Sequence, residues 1–131
     1  MAKIATRETK LGNVLKYEQD PFSGIARGVA TVNVTANMEI GAVVQSDGDG
    51  TYSIVAAADV ATLSADVAVV IDSTLYDSDA TGDRAIAVLN GGGDAIVVRE
   101  QLKFADALSA GQIDTVVAAL EAKRIKVESQ I

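Results

Sequence analysis

Carboxylates carry most of the chemistry that this sequence has to offer. It contains no histidine and no cysteine. That removes the commonest general base, the usual transition-metal ligand, the thiol nucleophile and the thiolate zinc site. Serine–histidine and cysteine–histidine catalysis are excluded. Any acid–base or metal chemistry would have to use carboxylates, lysine or tyrosine. Acidic side chains gather in two stretches. "VVQSDGDGTYSIV" sets Ser46, Asp47 and Asp49 among glycines, and "IDSTLYDSDATGDRA" carries Asp72, Asp77, Asp79 and Asp83 beside Arg84.

Register decides the first stretch. An EF-hand loop takes oxygen ligands at its first, third and fifth positions, glycine at the sixth and a bidentate glutamate at the twelfth. Counting from Asp47, the sixth residue is Tyr52 and the twelfth is Ala58. The loop therefore lacks its glycine and its closing carboxylate. Asp-Gly pairs suit a tight hairpin instead, because glycine accepts positive φ without steric cost. The second stretch reads as a solvated acidic connection between strands, and a metal-assisted enzyme using it is the weakest alternative. "NGGGD" (residues 90–94) is followed by the strand-like "AIVVRE" and by no lysine. A phosphate-binding loop needs that lysine and a helix after it. A flexible hairpin connection, or a place where another chain's backbone comes close, fits the glycines better. No residue is assigned a catalytic role, and no metal or cofactor is expected.

The elements around these loops have short periods. "VATVNVTA" alternates, with Ala30, Val32 and Val34 on one face and Thr31, Asn33 and Thr35 on the other. "IGAVVQ", "GTYSIVA", "DVAVVID", "RAIAVLN" and "AIVVREQL" follow as further strands. The valine-rich run from Asp66 to Asp72 suits a strand buried on both faces. Short strands separated by turn signals, without long helices between them, predict a β-rich barrel or sandwich. The period then changes. Ile113, Val116, Val117 and Leu120 make the stripe of an amphipathic helix. Ser109 and Gln112 form a capping box that places its start near Ala110. Its end falls near Lys123 and Arg124, and "IKVESQI" returns as a short edge strand.

Residues 1–28 differ from the rest. They hold five basic and three acidic side chains, a net +2, against −9 for the remainder and −7 overall. Apolar residues are sparse and keep neither helical nor strand spacing. The segment reads as an extended arm that orders on a partner, with Leu11, Val14, Leu15, Tyr17 and Phe22 as anchors. Residues 29–131 form the β-rich body. The acidic balance and the scarcity of aromatic residues argue against direct nucleic-acid binding. No apolar run is long enough to span a membrane. "MAKIATRETK" has no hydrophobic core of a signal peptide, so synthesis in the cytoplasm is expected.

Taken in order, "GAVVQ", the Asp-Gly turn, "GTYSIVAAAD", "ADVAVVIDSTLYDSDATGD", "RAIAVLNGGGDAIVV" and "LSAGQIDTVVAALEAKRIKV" resemble the bacteriophage lambda-type head decoration proteins, or capsid cement proteins. The resemblance covers roughly residues 29–127. It implies a small barrel-like β body with a C-terminal amphipathic helix and an extended N-terminal arm. It also implies a non-enzymatic homotrimer on the outer surface of the virion head. There it binds the assembled major capsid protein and stabilises the shell against internal DNA pressure. The capsid contacts would come from arm residues between Thr6 and Phe22: Thr6, Thr9, Leu11, Val14, Leu15, Tyr17 and Phe22. A virion-surface adhesin-like module that binds glycans is the alternative.

Overall fold

A computed structural model of the chain describes residues 11–19, 26–36, 38–77 and 80–129. The fold is mainly β. Strands β2 (Arg27–Val34), β3 (Val43–Ser46), β4 (Thr51–Ile54), β5 (Val67–Val70) and β6 (Gly82–Leu89) close into a barrel in the order β2-β4-β3-β5-β6. The β2–β4 seam is parallel and the other four are antiparallel. Closure leaves these strands no free edge. A second sheet of β1 (Leu15–Glu18), β7 (Ala95–Val98) and β8 (Ile125–Glu128) stands in the order β1-β7-β8. β1 runs antiparallel to β7, and β8 runs parallel to it.

Alternation sorts the barrel side chains into two cores. Val32 and Val34 of β2, Val44 of β3, Ala68 and Val70 of β5, and Ile86 and Val88 of β6 fill the interior, with Met38 and Leu75 packed among them. Val43, Val67 and Val69 point the other way. They join Val97 and Ile125 of the second sheet, and Val116 and Leu120 of helix α2 (Ala110–Ala122), in a core between the layers. β5 is thus buried on both faces, as its unbroken apolar run requires. The helix starts where its sequence predicts. Ser109 Oγ accepts from Gln112 N, and Gln112 Oε1 accepts from Ser109 N. The acidic stretch at Asp47–Gly50 is a hairpin turn between β3 and β4, closed by Asp47 N donating to Thr51 O at 2.9 Å.

Two expectations need correction. "NGGGD" is not a hairpin connection, because β6 and β7 lie in different sheets. The glycines cross between the layers. A Cβ on Gly91 would sit 2.5 Å from the Lys123 carbonyl oxygen, so the close backbone approach is real, but it is made by the chain's own helix end. The boundary of the arm also moves. Helical turn α1 (Leu11–Val14) buries Val14 completely in the inter-layer core, and β1 pairs along β7. Residues 11–19 are therefore part of the body. Thr6, Thr9 and Phe22 lie outside the described residues.

Candidate interaction surface on the three-stranded sheet

One irregularity in β1 shapes the candidate site. Leu15 pairs with Val97 and Tyr17 pairs with Ile96, so Lys16 is an extra residue in the ladder. In a regular strand Leu15 and Tyr17 would share a face. The bulge breaks that rule and turns them to opposite faces. Leu15 packs against the inter-layer core, whereas Tyr17 is 50% exposed. Glu18 turns inward again and is only 6% exposed. Its carboxylate takes a two-pronged contact from Arg27, with Nε at 2.6 Å and Nη2 at 2.7 Å. This fork binds β1 to the first barrel strand. It also raises the Arg27 pKa further, chiefly through that hydrogen bond.

Tyr17, Ile96 and Lys126 form one cross-strand row on the outer face of the sheet. They line an open groove of about 480 Å³, with Asp94, Glu121 and Arg124 at its margin. Arg124 follows the last turn of α2 with φ +66. This left-handed conformation costs a side chain roughly 1–2 kcal/mol. It reverses the chain into β8 and holds Arg124 Nε 2.8 Å from Asp94 Oδ1. Gln19 braces the same corner, because its Oε1 accepts from Asp94 N at 3.0 Å and from Arg124 Nη2 at 3.3 Å. The groove therefore combines a half-exposed aromatic ring, an aliphatic floor and an arginine whose direction is fixed. Val29, 76% exposed on the barrel wall, is the other large apolar side chain strongly exposed among the described residues.

Of the acidic residues singled out from the sequence, Asp47, Asp49 and Asp72 are engaged by hydrogen bonds and Asp83 is exposed, while the side chains of Asp77 and Asp79 lie outside the described residues. Asp49 Oδ1 accepts from Thr51 Oγ1 and Thr51 N, which holds its carboxyl below the usual range. Asp47 Oδ2 accepts from Ser53 Oγ. Burial works against the charge of Asp72, but hydrogen bonds from Thr74 and from the Ala87 backbone still keep its pKa lowered. Asp66 accepts from the Tyr52 hydroxyl at 2.7 Å and from Lys123 Nζ at 3.2 Å, tying barrel to helix. The Tyr52 bond, then the Lys123 cation, hold Asp66 below its ordinary value against desolvation. Tyr52 is pushed up to about 12 by burial and then by that carboxylate. Among the described residues no three acidic side chains are arranged to hold a metal ion. No helix there is long and apolar enough to cross a membrane.

Of the seven expected contact residues, Leu11, Val14 and Leu15 are packed into the body and Tyr17 faces outward. Asp94, Ile96, Arg124 and Lys126 were not singled out for contact from the sequence, because only strand pairing across the chain brings them together. No known family, no curated protein and no solved structure matches the chain.

Proposed function

We propose that this chain is a non-enzymatic decoration protein that binds the assembled major capsid protein on the outer surface of a virus head, acting as a homotrimer. Binding to the assembled state opposes its disruption, which is how such a protein would resist the pressure of packaged DNA. The observation that supports this reading most is the Lys16 bulge. It presents Tyr17 outward in a groove while Val14, Leu15 and Glu18 on either side stay tied to the body. An aromatic side chain beside a directed arginine has the composition of an interface hot spot. Residues 1–10 join the body at the turn leading into that strand. Contacts they make would therefore add to those of the groove. Three copies in one trimer would raise the effective concentration of each contact.

Two variants test the proposal on expanded shells of the parent virus. Tyr17→Ala and deletion of residues 1–10 should both leave the fold intact and weaken co-sedimentation with shells. Wild-type binding by both variants would sink it. Deleting residues through Phe22 is not a clean test, because it removes Val14 and Glu18 from the body. The exposed Tyr17 ring also favours a second reading, in which the groove stacks a sugar ring. Specific glycan-array hits that vanish in Tyr17→Ala, with no shell binding by the wild type, would put that reading first.

A further inference from the structure

Asn90 and Gly91 begin the connection that crosses from β6 to β7. We propose that this pair is a site of spontaneous self-modification through a cyclic imide. The Gly91 backbone nitrogen attacks the Asn90 side-chain carbonyl carbon. A new N–Cγ bond replaces the Cγ–Nδ2 bond, and Nδ2 leaves as ammonia with the proton that the Gly91 nitrogen gives up. Water then opens the five-membered ring at either carbonyl, giving aspartate or isoaspartate. No oxidant or reductant is needed.

Sequence and geometry together select this pair. The other asparagines, Asn13, Asn33 and Asn37, precede Val14, Val34 and Met38, whose side chains crowd the attacking nitrogen. Asn90 precedes a glycine and is exposed. Its Oδ1 accepts from Gly92 N at 3.1 Å, which folds the carboxamide back over the Gly91 peptide and polarises its carbonyl. The Gly91 N–H donates to no acceptor among the described residues. The lack of a side chain at Gly28 lets the carboxamide sit there, since a Cβ would lie 2.1 Å from Asn90 Nδ2. Two further pairs, Asp47–Gly48 and Asp49–Gly50, could form the same ring. Their carboxylates are engaged by Thr51 and Ser53, and an ionised carboxylate is a poor electrophile.

The consequence is mechanical. Isoaspartate adds a methylene to the backbone where Gly28 and Gly91 already meet their neighbours closely. Ageing at Asn90 therefore loosens the joint between barrel and sheet.

The test is to age the folded full chain in mildly alkaline buffer and map its peptides by tandem mass spectrometry with fragmentation that separates the two isomers. Asn90 should convert many times faster than Asn33, to a mixture of both products. The melting temperature of the aged protein should fall. Asn90→Gln, which would need a less favourable six-membered ring, should keep its own melting temperature on ageing. Conversion at Asn90 no faster than at Asn33 overturns the site. An equal fall in aged Asn90→Gln overturns the link to loosening. If that variant does not fold, the wild-type map alone decides the site.

Discussion

The barrel and the three-stranded sheet solve the same problem in different ways. The barrel pairs its five strands into a ring and fills it with valine, isoleucine and alanine. Among the described residues, nothing outside 27–89 contributes a strand to it. The sheet gathers strands from both ends of the described chain around β7 and keeps two open edges. It is held by the inter-layer core, by the Glu18–Arg27 fork and by the Arg124–Asp94 corner. One layer pairs all of its own strands, though β3 and β5 also turn valines into the inter-layer core. The other is assembled from distant pieces and carries the exposed groove. A closed ring and an exposed groove are thereby divided between them, the arrangement expected if the groove is the proposed contact surface.

The largest test of this division compares two core truncations. Ile86→Ala inside the barrel and Leu120→Ala between the layers each remove a fully buried side chain. Each should cost about 2–5 kcal/mol. Native-state hydrogen exchange should then differ: Ile86→Ala lowers protection throughout, whereas Leu120→Ala exposes α2, β7 and β8 first. Uniform loss in both variants would make the two layers a single cooperative unit. Next comes Arg27→Ala, which strands the buried Glu18 carboxylate. Arg27 itself is partly exposed, so the cost should fall at or below the lower end of the range for breaking buried pairs, about 3 kcal/mol. Faster exchange in β1 with little change in β3 and β5 would sharpen the contrast. Equal acceleration in all three would erase it.

Smaller effects probe single joints. Ser109→Ala removes the helix cap and should cost about 1 kcal/mol. The urea midpoint should drop with an unchanged slope. The smallest effect is a pH dependence within the barrel. The folded-state pKa of Asp72 is lowered, so its contribution is fully present above the unfolded value, near about 3.9. It is lost as pH falls through the folded value. Asp72→Asn should be less stable than wild type at neutral pH, and the gap should narrow in acid. A gap that stays constant down to acid unfolding would show that the Asp72 carboxylate is not what secures β6.

Much of the barrel could be read directly from the sequence, and the reason is local. Val32 and Val34 alternate with threonine and asparagine, and residues 67–70 are apolar without a break. Strand faces follow from such spacing alone. The helix was equally legible, because its stripe and both capping residues lie within a dozen positions. β1 was missed because it is only four residues long in a stretch sparse in apolar residues. The bulge at Lys16 hid which faces Leu15 and Tyr17 take, since their alternation would put them on one face. Glu18 gave no sign of burial, since its partner Arg27 lies nine positions further along the chain. The parallel pairing of β7 with β8 and the crossing at "NGGGD" depend on contacts between distant segments, which no local pattern encodes. For the groove, Tyr17 was legible as an apolar anchor, but the direction it faces was not.

The central place of β7 sets an order on biosynthesis. A ribosome releases the barrel strands, Arg27 to Leu89, as one uninterrupted stretch. The ring can therefore close while the helix is still unmade. β1 emerges before all of them but must wait for β7, and the sheet is complete only when Glu128 has appeared. Domains tend to fold as their segments emerge. A chain still in synthesis would then expose a closed barrel, an unpaired β1 and Val14 without its core, but no finished groove. The groove is built last, so under the proposed function an incomplete copy would lack the surface with which to compete for a place on the shell.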